Sequence, residues 1–310
     1  MTAPGSRAPH VVAVGGGHGL AATIRAARRY AGRTTAVVST ADDGGSTGRL
    51  RSALDMPAPG DLRRCVEAMA GEDAPPLTRA LDYRFAGSDV AGHALGNLLL
   101  AGLHTVTGDF VAAVDELSRV AGVDPAVGRV LPATVDPVVL RAEVADGCHV
   151  TGQVAITRSV GIERVVVDPA DAAVPADAVE ALLDADQVVL GPGSLFTSVL
   201  AAAVVDGVRE ALKRSPARRV YVCNVRAELG ETRGYDVAAH VAALRRHEIE
   251  PDVVLAQRGA LPLGRVGVEV VEADLVRPNG LAHDPVLLGA ALSGLVAAAK
   301  ATDRHSGPRT

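Results

Sequence analysis

Twice in this 310-residue chain a short apolar run ends in a cluster of glycines and passes at once into a helical segment. The first run is Val11–Val14, followed by Gly15-Gly16-Gly17-His18-Gly19-Leu20. The second is Gln187–Leu190, followed by Gly191-Pro192-Gly193-Ser194. A continuous apolar run of this length fits a strand buried on both faces, the habit of parallel sheets. Parallel strands need crossover connections, usually helices. The pattern predicts an α/β fold: a Rossmann-like, doubly wound, mainly parallel sheet. The first run, a helix over Leu20–Tyr30 and a strand over Thr35–Ser39 form one right-handed βαβ unit.

Further strands are expected at Val220–Asn224, Val253–Ala256 and Val268–Val271. Helices are expected after Pro57–Asp61, at Leu95–Thr105 and Phe110–Val120, from Ser194 to Arg214, at Val237–His247 and at Asp284–Ala299. Residues 71–93 read as irregular. Between 129 and 168 the character changes to short strands, Val130–Leu131, Val138–Val144, Val150–Ile156 and Arg164–Val167. They predict a small β-rich insertion or an extension of the sheet. No internal repeat or low-complexity linker divides the chain, so residues 1–310 are expected to form a single domain, frayed at 1–9 and 303–310.

Composition closes off several functions. Hydrophobic residues at 48 % and charged residues at 22 % exclude a disordered chain. Aromatics are 2 %, too few for a base-stacking surface, and a net charge of −5 opposes broad phosphate-backbone contact; no nucleic acid is expected as partner. Cys65, Cys148 and Cys223 are odd in number and form no CxxC, so neither a disulfide framework nor a zinc site is expected. A reducing cytoplasm fits, and from the polar start of the sequence no targeting segment is expected. The uncharged stretch Gln187–Val205 is broken by its glycines and proline, so no membrane span is expected. The only lysines are Lys213 and Lys300, far from any glycine-rich loop, which excludes a GxxxxGK[ST] phosphate loop.

The loops carry the chemistry. In the first, Gly15, Gly16, Gly17, His18 and Gly19 let backbone N–H groups approach an anion at a helix N-terminus; the alternative is a tight βα turn. In the second, Asp42, Asp43, Gly44, Gly45, Ser46 and Arg49 lie at the C-terminal end of a strand, the ligand edge of a parallel sheet. A carboxylate there can bind ribose hydroxyls or a magnesium ion, and Arg49 or Arg51 can clamp a phosphate. The alternative is an Asp-capped turn with its arginines in solvent. In the third, Gly191, Pro192, Gly193, Ser194 and Thr197 offer a helix cap or phosphate donors. Two such loops suggest two phosphates, or one diphosphate between two helix N-termini. Asn224 ends a strand at the same edge, where it either reads a base or sugar or closes an Asx-turn. Asn97, His93 and His283 are further candidates. No GxSxG or HExxH motif supplies a nucleophile or a metal pair.

Taken together, GGGHGL (15–20), ADDGGSTGRLR (41–51), PAPGDLRRC (57–65), GHALGNLLLAGL (92–103), LGPGSLFTSV (190–199), YVCN (221–224), GETRGY (230–235) and HDP (283–285) resemble the YvcK-like family. Its members are known as gluconeogenesis factors or UDP-N-acetylglucosamine-binding proteins, and they are related to 2-phospho-L-lactate transferase in the CofD superfamily. The resemblance covers nearly the whole chain. It implies a cytoplasmic sensor of UDP-N-acetylglucosamine acting in cell shape, cell-wall precursor supply and gluconeogenic growth. The Gly15–Gly19 and Gly191–Ser194 loops would cradle the diphosphate, Asp42 or Asp43 the sugar hydroxyls, and Asn97 or Asn224 the uracil or ribose. A cell-wall synthesis protein is the implied partner, and a homodimer is ordinary for such a fold. The alternative is a magnesium-dependent transferase with a nucleotide-linked donor, Asp43 holding the metal and Arg49 neutralising the transferred group. His18 stands where the family usually has threonine, and Ala282 where it usually has arginine.

Overall fold

The computed structural model describes residues 7–277, 280 and 282–305, with side chains as far as 298. In chain order the elements are β1 (His10–Gly15), α1 (Gly17–Ala27), β2 (Arg33–Val38), α2 (Gly45–Leu54), α3 (Gly60–Ala70), α4 (Pro76–Ala80), α5 (Leu95–Thr107) and α6 (Phe110–Val120). There follow β3 (Gly128–Pro132), β4 (Val139–Val144), β5 (His149–Thr151), α7 (Gln153–Thr157), β6 (Ile162–Asp168), α8 (Ala176–Leu183) and β7 (Gln187–Leu190). After a π-helical turn, Leu195–Leu200, come α9 (Ala201–Ala203), α10 (Asp206–Arg214), β8 (Arg218–Val222), α11 (Val237–Arg246), β9 (Val253–Gln257), β10 (Glu269–Ala273) and α12 (Pro285–His305).

Seven strands form one parallel sheet in the order β10-β9-β8-β7-β1-β2-β3. The chain lays β2 and β3 outward on one side of β1, then returns to the other side with β7 and continues through β8, β9 and β10. The reversal between β1 and β7 is the topological switch point of a doubly wound sheet, where ligands bind beyond the strand C-termini.

Strand periodicity explains why these runs are apolar throughout. Val11 and Ala13 face a layer built from α1, α3, α5, α6 and α12, through residues such as Leu20, Leu62, Leu100, Leu117 and Leu288. Val12 and Val14 face the opposite layer, which holds α8 to α11, the π-helical turn and the small sheet. Both faces are covered, so each inward methyl group is withdrawn from water, at about 25 cal/mol per Å² of apolar area.

Several elements depart from the sequence expectation. β3 pairs in parallel with β2 and belongs to the main sheet rather than to an insertion. The β-rich part is a separate antiparallel sheet, β5-β4-β6. The strand expected over Val150–Ile156 stops at Thr151 and becomes α7, because Gly152 takes φ +97. The helix expected from Ser194 to Arg214 is interrupted where Val205 is extended (φ −60, ψ 124). The second glycine-rich loop is half helix, since α2 begins at Gly45. α8 was not anticipated. α12 runs through His305, past the tail expected from 303. Residues 1–6 and 306–310 of the expected frayed ends lie outside the described residues.

Candidate ligand cleft

The loop after β1 and the loop after β7 meet at the switch point. A Cβ on Gly19 would overlap the Pro192 carbonyl oxygen, so no other residue fits without parting the loops. The Thr23 hydroxyl donates to the Gly191 carbonyl (2.6 Å), tying α1 to the second loop. The glycines therefore serve close packing as well as any ligand. Gly17 N–H is already engaged: it donates to Asp61 Oδ2 (2.7 Å), whose other oxygen accepts from Arg64 (2.6 Å). Burial pushes the Asp61 carboxyl above its ordinary range, against the pull of Arg64.

The loop after β7 is held from behind by a segment that follows β8. Gly193 N–H reaches Asn224 Oδ1 (3.4 Å), the Ser194 hydroxyl donates to Glu228 (2.9 Å), and Thr197 N–H donates to Glu231 (3.1 Å). Ser194 thus caps no helix with its side chain. Glu231 is fully buried; burial, then the neighbouring Glu228 charge, pushes its carboxyl well above the usual carboxylate range.

Over these loops opens a cleft of about 1370 Å³. One wall is a stripe of α1, His18, Ala22 and Arg25, spaced to share a helix face. Arg277, Ala282 and His283 also line it, as do Thr157 and Arg158 at the end of α7 and the 224–230 segment with Arg226 and Glu228. The guanidinium groups of Arg25, Arg158 and Arg226 make no ion pair or hydrogen bond among the described residues, and Arg277 adds a fourth positive charge. Burial, then the charge of Arg64, lowers the His18 pKa. Burial brings that of His283 down to about 4. Among the described residues the cleft therefore presents four guanidinium groups, two imidazoles inclined to stay neutral, and one carboxylate. Such a site concentrates anions, and a guanidinium fork matches a phosphate edge.

Of the residues singled out from sequence, His18, Gly19, Pro192, Gly193, Asn224 and His283 line this cleft. Gly15, Gly16, Gly17, Gly191, Ser194 and Thr197 belong to the loops and turn beneath it. Asp42, Asp43, Gly44, Gly45, Ser46, Arg49 and Asn97 do not line it. Asp42 accepts from Gly44 N–H (2.9 Å), closing an Asx-turn rather than the expected Asp cap, since Gly44 is the N-cap of α2, and Asp43 accepts from Val154 N–H (3.0 Å), anchoring α7. Arg49 donates to the Ala91 carbonyl (2.8 Å) and Arg51 to the carbonyls of Asp42 (3.2 Å) and Val138, so neither is free in solvent. Ser46 bonds His93 Nδ1 (2.9 Å) and accepts from Asn97 Nδ2 (3.2 Å), a buried polar cluster. Among the described residues no three metal-binding side chains converge, at Asp43 or elsewhere. No helix is long and apolar enough to cross a membrane among the described residues.

Arg25, Arg158, Arg226, Arg277 and Glu228 went unnoticed in the sequence. Arg25 had a signal, lying seven residues after His18 on one helix face. Arg226 had a weaker one, two residues past Asn224. Arg158 and Arg277 come from segments far apart in the chain and carry no local mark.

Comparison with known proteins places these features in a family. The family model of 2-phospho-L-lactate transferase CofD matches residues 11–277. A gluconeogenesis factor of Halalkalibacterium halodurans is 44 % identical over 240 residues, covering 77 % of this chain and 73 % of the relative. The gluconeogenesis factor of Bacillus subtilis is 42 % identical over 242 residues, covering 77 % and 75 %. The crystal structure of a UPF0052 family member from Bacillus halodurans superposes with a TM-score of 0.87 at 35 % identity, covering 94 % of this chain and all of that one.

Proposed function

The chain belongs to the CofD family, and from that membership we propose that it is a nucleotide-sugar-binding regulator with UDP-N-acetylglucosamine as its ligand. The observation that carries the reading is the set of arginines, three of them unpaired among the described residues, around a crevice at the switch point, above two abutting glycine-rich loops. A diphosphate supplies the paired charge such a set calls for. It lies over the floor made by Gly19 and Gly193, and Arg25, Arg158, Arg226 and Arg277 surround it. Binding favours one arrangement of the walls over another, and that difference is what a regulator passes on to a partner in cell-wall precursor supply.

Calorimetric titration with UDP-N-acetylglucosamine, UDP, GDP and NAD, each with and without magnesium, tests the reading. The expected result is metal-independent preference for UDP-N-acetylglucosamine, weakened at least about tenfold by Arg226→Ala. Arg49→Ala, which alters a side chain outside the cleft, is expected to leave the affinity unchanged. A preference for GDP that requires magnesium overturns the regulator in favour of a transferase.

A further inference from the structure

Among the described residues that line the cleft, one acid stands against four guanidinium groups. Glu228 is held in place at both ends. Its backbone N–H donates to Thr232 Oγ1 (2.9 Å), and its Oε1 accepts the Ser194 hydroxyl (2.9 Å). Its partner is thus the very hydroxyl that the glycine-rich loop would otherwise offer to a phosphate. Glu231, directly behind, accepts from Thr197 N–H and is sealed from solvent. Burial, then the Glu228 charge, favours its neutral form, in which its proton is held between the two carboxyls, so the pair presents one negative charge to the cleft rather than two.

A carboxylate at such a point sorts ligands by what they present to it. Phosphate oxygens at neutral pH only accept hydrogen bonds, and they share the sign of the carboxylate. A hydroxyl or an amide N–H donates to it and brings no charge. A site built to take a donor rejects an analogue that lacks one, because its own acceptor is then left unpaired. The arginines draw in a polyphosphate, and the place beside Ser194 is closed to a further phosphate.

We propose that Glu228 is the specificity-determining residue of the cleft: it accepts a hydroxyl or amide N–H from the group esterified to the diphosphate, and it turns away a nucleotide bearing a third phosphate. This inference rests on the reading of the cleft as a nucleotide-sugar site.

The test titrates wild type, Glu228→Gln, Glu228→Asp and Arg226→Ala with UDP-N-acetylglucosamine, UDP and UTP. Gln preserves the volume and can still accept from Ser194 while removing the charge. Wild type is expected to bind UDP-N-acetylglucosamine more tightly than UTP. Glu228→Gln is expected to weaken UDP-N-acetylglucosamine about fivefold and to tighten UTP about tenfold, with UDP little changed. Glu228→Asp, which restores the charge, is expected to exclude UTP again. A Glu228→Gln variant that leaves the three affinities in their wild-type ratio, whether unchanged or weakened together, overturns the inference while Arg226→Ala still weakens all three. If Arg226→Ala changes none of them, the cleft is not the nucleotide site and the underlying reading fails instead. Absence of binding by all three ligands in wild type overturns both.

Discussion

Arginines do opposite work on the two sides of β1. Toward β7, Arg25, Arg158 and Arg226 reach into the cleft without a partner among the described residues. Toward β2, four arginines are tied. Arg63 is fully buried between Glu67 and Asp82, Arg64 holds Asp61, Arg49 holds the Ala91 carbonyl, and Arg51 holds two carbonyls at once. A hydrated guanidinium at the mouth of a cleft costs the fold little and stays available. A guanidinium that satisfies buried acceptors is part of the scaffold, and its removal strands them. Partnership, rather than residue type, separates an available arginine from a structural one here.

That contrast breaks if substitutions on the two sides have the same consequence. The largest effect is expected at Arg63→Met, which leaves Glu67 without its cation in a buried setting. Chemical denaturation should show a loss of about 3–5 kcal/mol, with any surviving folded protein binding UDP-N-acetylglucosamine as wild type does.

Next in size is an effect of pH on the cleft wall. His283 has its pKa lowered from 6.5 to about 4 by burial. Between those values the unfolded chain binds the proton that the folded chain refuses. This stability is full above pH 6.5 and is lost as the pH falls toward 4, to a total of about 3 kcal/mol. Unfolding midpoints measured across that window should slope upward with pH in the wild type and flatten in His283→Gln.

Arg51→Ala strands the carbonyls of Asp42 and Val138 and should cost about 2 kcal/mol, with ligand affinity unaltered. The smallest change in stability is expected at Arg158→Ala, within about 0.5 kcal/mol, yet there the affinity for UDP-N-acetylglucosamine should fall at least about tenfold. A large loss of stability in Arg158→Ala without a loss of affinity would invert the comparison.

The layout of the main sheet was legible because β1 and β7 are buried along their whole length and carry unbroken apolar runs, Val11–Val14 and Val188–Leu190, which only a doubly covered strand requires. What was not legible had local causes. The start of α2 hides among Gly44, Gly45 and Gly48, residues that usually signal a loop. Gly48 is glycine because a side chain would overlap the Asp43 carbonyl, a contact that no pattern announces. β3 lies next to a hairpin-rich stretch, and only its pairing with β2 assigns it to the main sheet.

The site divides in the same way. His18, Gly19, Pro192, Gly193 and Asn224 were found through strand–loop–helix grammar, which places them at one edge. Asp42 and Asp43 satisfy that grammar as well, but their oxygens close local and long-range bonds to Gly44 and Val154. Arg158 and Arg277 reach the cleft from a short helix and from the approach to α12, more than a hundred residues apart, and only tertiary structure unites them.

Gly19 lies flush against Pro192, and Thr23 is bonded to Gly191, so the two loops form one floor that cannot part without breaking the sheet's central joint. A ligand settling there meets a surface whose freedom was removed when the chain folded, and the entropy of arranging it does not count against the binding step. The mobile share of recognition falls to the long arginine side chains at the rim. Stiffening those arms, rather than remodelling the floor, is therefore the route by which affinity in this cleft would be raised.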